Sequence, residues 1–437
     1  MQVLKFGGTS VGSASRMRDV VKLITADEKQ KIVVLSAMSG TTNNLVEISD
    51  YYHKNNTSGA LEKINVLLNK YHDVIDELYT TDAKKTEAKK VVESVFDYLR
   101  TFSKKIFTIF EEKAVLAQGE ILSTNMFQIL LEEMAVDSVL LPALDYMRID
   151  KNAEPDMAFI TENLGELLKQ NPNKYLYITQ GYICRNFYGE IDNLQRGGSD
   201  YTASLIGAAV KAEEIQIWTD IDGMHNNDPR FVEGTTPVPF LHFEEAAELA
   251  YFGAKILHPT CVLPAKLNNI PVRLLNTMEP QAAGTLISNR SKKGVIQAIA
   301  AKDNITAIKI KSGRMLLAHG FMRKVFEIFE KHQTSVDMVT TSEVGVSVTI
   351  DNARKLEEIL NDLKKFGTVT VDKDMVIICV VGDLPYENVG LQAKVVNAVN
   401  DIPVRMISYG GSNYNISLLI DAQDKKKALN ELSKALF

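Results

Sequence analysis

The chain of 437 residues is poor in cysteine, has a single tryptophan, and carries no large surplus of either charge. Cys184, Cys261 and Cys379 are odd in number, far apart and without metal-ligand spacing. That excludes a disulfide framework and reads as three small buried or half-buried side chains in a reducing, cytoplasmic setting. Lys and Arg number 49 against 55 Asp and Glu, a formal net charge of −6. Bulk charge therefore gives no reason to expect nucleic-acid or membrane binding, and any anionic ligand must be held by local groups. No stretch approaches the roughly 18 apolar residues of a membrane span. The only N-terminal apolar run is interrupted by Lys5 and Gly7-Gly8, so no secretory leader is expected. What is present is ordinary globular composition, 45% hydrophobic and 24% charged, in a chain long enough for several domains and a large core.

The texture changes along the chain. Residues 1–40 read strand, helix, strand. Residues 43–135 contain no breaker but Gly59 and Gly119, and their apolar residues fall at three-and-four spacing, which predicts a helical insertion. Short strands return at SVLLPA, KYLYITQG, EIQIWTD and IPVRLL, separated by helical stretches. The alternation predicts an α/β region with a mainly parallel sheet over residues 1–290, and TMEPQAAGTLISNRSKKG reads as the exit from it. Beyond residue 294 the order becomes β-α-β-β-α-β, a ferredoxin-like unit at about 304–372. A second unit at about 375–437 stops on a helix and is one strand short. The spare strand at 294–301 is expected to complete it, so that the first unit is inserted within the second.

Several short stretches carry candidate chemistry. In KFGGTSVG a strand meets Gly7-Gly8, Thr9 and Ser10. Two glycines followed by a helix suit a phosphate cradle, and equally a plain turn. There is no third glycine for a dinucleotide fingerprint and no Gly-Lys-Ser/Thr for a P-loop. LQRGGSDYTA places Arg196, Ser199 and Asp200 around a helix start, where Arg196 suits a carboxylate or phosphate. WTDIDGMHNNDPR sets Thr219, Asp220 and Arg230 in a loop after a strand, where open α/β sheets bind ligands. YFGAKILHP holds Lys255 at a helix end, where a lysine also serves the helix dipole. Glu120 in LAQGEILST is an acid at a core position, and a buried carboxylate needs a partner, either a substrate amine or a nearby arginine. SAMSGTTN, from Ser36 to Thr42, suits a ligand-lining loop or any strand-to-helix connection.

Taken together, KFGGTSVG, SAMSGTTN, QGEILST, TQGYI, QRGGSDYTA, WTDIDG-x5-DPR and GAKILHP resemble, in order and context, the aspartokinases of the amino-acid kinase fold. The tail resembles their paired ACT modules, and SGRMLLAHGFMRKVFEIFEKHQTSVDMVTTSEV resembles the effector region of the monofunctional, lysine-sensitive kind. The resemblance implies ATP-dependent phosphorylation of the L-aspartate side-chain carboxylate, the first step towards lysine, threonine and methionine. It implies Lys5, Gly7, Gly8, Asp200 and Lys255 as catalytic groups. It assigns aspartate to Ser36, Thr42, Glu120, Arg196 and Ser199. It assigns ATP to Lys5, Gly8, Thr9, Ser10, Thr219, Asp220, His225, Arg230, Lys255 and Ile256. Mg²⁺ is expected on the phosphates, with no ligands from the protein. L-Lysine as inhibitor is assigned to Met315, His319, Gly320, Phe321, Met322, Asp337, Thr341, Ser342 and Glu343, at a homodimer or homotetramer interface of the ACT modules. Two residues depart from the family pattern: His225 stands where a tyrosine is common, and Ala318 where a serine is. The alternatives are a related amino-acid kinase, or an amino-acid-sensing protein with an inactive kinase domain.

Overall fold

The computed structural model of the chain describes residues 1–194, 197–253, 259–290, 292–313 and 319–437. By packing, the chain divides into two compact units, Met1–Met224 with Leu257–Asn289, and His225–Ile256 with Arg290–Phe437.

In the first unit the strands lie in the order Ser138–Leu140, Leu176–Gln180, Lys31–Leu35, Gln2–Phe6, Ile215–Thr219, Val272–Asn276 and Thr285–Ser288. All neighbours are parallel except the last pair. Lys31–Leu35 and Leu176–Gln180 are buried at every position, as interior strands of a parallel sheet covered on both faces are. The region read as an exit thus supplies a strand at Thr285–Ser288; its Thr-Leu-Ile-Ser core is too short to stand out among turn residues. Residues 41–133 form five α-helices joined by short turns, opened by such caps as Asn56, whose Oδ1 accepts from Gly59 N–H at 3.0 Å. Their inner faces, with Tyr71, Tyr79, Phe96 and Phe127 buried, share one core with Phe6 and the sheet. No helix among the described residues is long and apolar enough to cross a membrane.

The second unit is built on a six-stranded antiparallel sheet. Two strands read separately from the sequence, VIQAIAA and NITAIKIKS, are one strand, Ile296–Lys311, with a register shift at Lys302/Ile305. Its first half pairs with Ile377–Gly382 and its second with Thr368–Met375 and with Gly345–Ile350. Two cores flank this pair of long strands, one under Phe321–Lys331 and Leu356–Leu363, the other under Leu391–Ala398 and Lys425–Leu436. The compact units do not follow the boundary at 290. The segment His225–Ile256 packs with the C-terminal region, where the Lys425 ammonium lies 4.2 Å over the Phe231 ring and Asn227 Nδ2 donates to the Leu429 carbonyl at 3.1 Å. These contacts join residues some 200 apart in sequence, which periodicity does not register.

Candidate active site

A cavity of about 600 Å³ opens at the C-terminal ends of the central strands of the first unit. The turn after Gln2–Phe6, the loop after Lys31–Leu35, the helix Gln118–Glu133 and the start of the helix Gly198–Val210 converge on it. Lys5, Gly8, Ser36, Thr42, Glu120, Ser199 and Asp200, singled out from four distant stretches of sequence, all line it.

Backbone economy explains the glycines. A side chain on Gly8 would place its Cβ 2.8 Å from the Ala37 carbonyl, so only glycine lets this turn pass under the facing loop. Gly197, at φ +75°, turns the chain into the helix that carries Asp200. The Gly7 N–H donates to the Trp218 carbonyl at 3.2 Å, continuing the sheet. Gly7 is therefore not a donor for a phosphate, and Gly8 alone of the two glycines lines the cavity. Ser10 is fully buried and shares a 2.7 Å hydrogen bond with Thr277. Ser10 does not line the cavity, which departs from its assignment as a nucleotide ligand. The Thr9 carbonyl accepts from Arg16 at 2.6 Å, and Thr9 does not line the cavity either.

The electrostatics centre on two features. Lys5 Nζ lies 2.7 Å from Asp200 Oδ1, both side chains nearly buried, so the lysine is held at the cavity by a carboxylate. Glu120 is buried and its Oε1 accepts from the Ala37 N–H at 3.2 Å. Its Oε2 has no hydrogen-bond partner. Burial pushes this carboxyl up to about 8, against the opposing pull of the Ala37 N–H and of Lys5. A cation brought into the cavity would favour its ionised form.

Tyr182 was not assigned a role from the sequence, although TQGYI was noted. It lines the cavity, adopts φ +67°, and its ring would collide with any side chain at Gly198. A bulky residue at positive φ is uncommon and gathers at ligand sites, but no sequence signal reports φ. Thr219 and Asp220 lie in the first unit outside the cavity lining, with Thr219 Oγ1 3.2 Å from Asp220 Oδ1. His225 and Arg230 belong to the second unit. His225 Nδ1 is 3.0 Å from Thr235 Oγ1, and Arg230 grips Asp228 through Nε and Nη2 at 2.9 and 2.6 Å. Arg196, Lys255, Ile256 and Met315 lie outside the described residues.

The expected effector residues fall in the second unit, and two are not placed as expected. Phe321 is packed into the core of its module rather than presented to a ligand. The Asp337 side chain is buried and its Oδ1 already accepts from Lys302 Nζ and from Tyr251 Oη, each at 2.7 Å. His319 and Gly320 precede the helix Phe321–Lys331, with Gly320 at φ +80°, and Met322 in its first turn packs against the module core. Thr341, Ser342 and Glu343 are exposed at the end of the edge strand Val339–Ser342.

Known proteins with the same pattern bear on these residues. The amino acid kinase family profile matches residues 1–276, and an ACT domain profile matches residues 378–436. The lysine-sensitive aspartokinase 3 of Escherichia coli is 32% identical over 458 residues, covering 100% of this chain and 99% of that protein. The crystal structure of E. coli aspartokinase III in complex with aspartate and ADP superposes with a TM-score of 0.86 at 31% identity, covering all of both chains. The same enzyme in complex with lysine and aspartate gives 0.83 at 31% identity, covering 100% of this chain and 99% of that one. With a profile spanning well over half its length and full-length relatives above 30% identity, the chain belongs to the amino acid kinase family and, within it, to the aspartokinases.

Proposed function

We propose that this aspartokinase transfers the γ-phosphoryl group of ATP to the side-chain carboxylate of L-aspartate, giving ADP and 4-phospho-L-aspartate. The observation that carries the substrate assignment is Glu120: a buried carboxylate with an unpartnered oxygen, on the cavity that also holds the Lys5–Asp200 pair. An amino-acid ammonium pairs with Glu120, while the phosphoryl group is drawn to Lys5. The E. coli aspartokinase III complexes, one with aspartate and ADP and one with lysine and aspartate, support the same ligands here.

A carboxylate oxygen of aspartate attacks the γ-phosphorus and the bond to the β-phosphate oxygen breaks. The nucleophile is ionised at neutral pH, so no general base is needed, and catalysis rests on positioning and charge. Lys5 neutralises charge on the transferring group, and Asp200 holds its ammonium in place. Gly8 brings the backbone close to the phosphate. Ser36, Thr42 and Ser199 serve the remaining polar atoms of aspartate, and Arg196 its α-carboxylate. Lys255, Ile256, Thr219, Asp220, His225 and Arg230 keep the nucleotide roles that the family resemblance implies. Mg²⁺ arrives with ATP as part of the substrate, coordinated through phosphate oxygens.

L-Lysine is the feedback inhibitor in this reading, the reaction opens the route to lysine, threonine and methionine, and the enzyme works in the cytoplasm. The exposed end of the edge strand Val339–Ser342 supports assembly into at least a dimer through the ACT modules. The deciding assay is ADP formation by the purified chain with L-aspartate, with L-glutamate, and with neither, each with and without L-lysine. Aspartate-dependent turnover inhibited by lysine is expected. Turnover that follows glutamate instead would remove the substrate assignment.

A further inference from the structure

The loop Asn226–Thr236 carries the DPR stretch of the kinase pattern, yet it is anchored on the C-terminal region, within the second unit. Its neck is closed by Asn226, whose N–H donates to the Thr236 carbonyl at 3.0 Å and whose Oδ1 accepts from the Thr236 N–H at 2.9 Å. The Asn226 carbonyl accepts from the Ile299 N–H at 2.8 Å, which bonds the neck to the strand Ile296–Lys311. Beyond the neck, Val232 is buried in the core that Leu429 and Leu432 of the helix Lys425–Leu436 help to form.

Two asparagines tie the loop to that helix. Asn430 Nδ2 donates to the Phe231 carbonyl at 3.1 Å. Asn227, only 2% exposed, donates from Nδ2 to the Leu429 carbonyl at 3.1 Å and accepts at Oδ1 from the Asp228 N–H at 2.8 Å. The Asp228 carboxylate in turn accepts from the Arg230 N–H at 3.0 Å and from its guanidinium at 2.9 and 2.6 Å. A continuous series of hydrogen bonds thus runs from the helix to the guanidinium. The Phe231 ring adds a further tie, with the Lys425 ammonium 4.2 Å and the Arg230 guanidinium 5.8 Å from its centre. The Arg230 side chain is nevertheless 74% exposed, so a guanidinium held through Nε and Nη2 keeps donors for a phosphate. A cavity of about 670 Å³ is lined by both loop and helix, among others by Arg230, Phe231, Asn430 and Lys434, so the loop has room to move when a bond is lost.

We propose that the helix Lys425–Leu436 is a positioning element for the nucleotide, with Asn430, through Phe231, and Asn227, through the Leu429 carbonyl, fixing the loop that presents Arg230 to the phosphates of ATP. The inference rests on the nucleotide role proposed for Arg230, and it adds Asn227 and Asn430 as positioning residues. The helix lies within the residues matched by the ACT domain profile, 378–436. One element therefore belongs to the regulatory fold and sets the geometry of a phosphate ligand, and a displacement of that helix is carried to Arg230 by the bonds described.

The test is steady-state ADP formation by the full chain, with ATP and L-aspartate varied separately. Asn430→Ala removes the bond to Phe231, and alanine is a better helix former than asparagine, so the helix itself is not weakened. The ATP KM should rise about three- to tenfold, the scale of one hydrogen bond, while kcat and the aspartate KM stay near those of the parent. Arg230→Gln should raise the ATP KM at least as far. The double variant should go no further than Arg230→Gln alone, because Asn430 acts through Arg230. An unchanged ATP KM in Asn430→Ala overturns the proposal, and so does a double variant in which the two effects multiply. An equal rise in both KM values would mark general loosening and also overturn it. If Arg230→Gln raises the ATP KM and Asn430→Ala does not, the nucleotide role of Arg230 stands and the positioning alone fails. If Arg230→Gln has no effect, that role fails and the positioning with it. Calorimetric titration of the same four proteins with MgATP reads the same order of affinities without turnover, so it decides the question even if aspartate is not the substrate.

Discussion

Each unit buries a lysine–aspartate pair, and the two pairs have different company. Lys5–Asp200 in the first unit stands on a cavity with Glu120, a buried carboxyl whose Oε2 has no partner. Lys302–Asp337 in the second is closed by a phenol hydroxyl and a second carboxylate on the same ammonium. A buried ion pair adds little net stability once desolvation is counted. The difference therefore teaches where each unit keeps its charge available. In the first, a fixed cation and an unpaired acid sit side by side, which suits a ligand that is cationic at one end and receives phosphate at the other. In the second, one oxygen of the acid takes two hydrogen bonds from the chain itself while the other has none, so the aspartate is already held by a cation of its own.

The comparison is broken most sharply at Lys5. Lys5→Met should lower turnover by about 10²–10⁴-fold, the scale of losing one electrostatic contributor to the transition state, with the native circular dichroism spectrum retained. Lys302→Met should leave uninhibited turnover near that of the parent. If both variants lose turnover alike, the two pairs do not have the separate roles described. Next in size is Glu120→Gln. It replaces a charge-assisted bond to the substrate ammonium, worth about 1.5–3 kcal/mol, by a neutral one. The aspartate KM should rise about 10–100-fold while the ATP KM changes little. A larger effect on ATP would reverse the two halves of the site. Asp337→Ala should follow, raising the lysine concentration needed for half-inhibition by at least about tenfold with uninhibited activity retained. Unchanged lysine sensitivity would detach Asp337 from the effector site.

Much of this was legible in the sequence because it is local. Lys5, Gly8, Ser36, Thr42, Glu120, Ser199 and Asp200 each sit in a short stretch whose turn, cap or misplaced charge marks it, and the sheet topology then carries all seven to one cavity. What was not legible depends on contacts across the chain. The loss of the Gly7 donor to Trp218 and the burial of Ser10 against Thr277 are set by neighbours more than 200 residues away. The positive φ of Tyr182 is a property of backbone geometry that tyrosine does not advertise. Asp337 in TSVDMVTT is assigned by resemblance to the lysine effector, and only the fold shows that Lys302 and Tyr251 already bond its Oδ1. The strand Ile296–Lys311 looked like two because a shift of register at its middle interrupts the apolar pattern.

The smallest effect is also the most direct reading of the first unit's unpaired acid. Burial holds the Glu120 carboxyl at about 8, against 4.5 for an ordinary glutamate. Between those values the unfolded chain has released the proton and the folded chain has not. The ligand-free enzyme therefore loses stability as pH rises from about 4.5 through about 8, the opposite of a salt-bridged carboxylate. A substrate ammonium beside Oε2 favours the ionised form and lowers that value, so aspartate binding should expel the proton. Calorimetry of aspartate binding near pH 6.5, in two buffers of different ionisation enthalpy, should register release approaching one proton. By about pH 9 the release should fall towards zero. Glu120→Gln cannot release this proton, so the difference between parent and variant isolates Glu120 from every other group that titrates on binding. Equal proton release by the two proteins at pH 6.5 would show that the aspartate ammonium does not bind at Glu120, and the contrast between the two units would lose its basis.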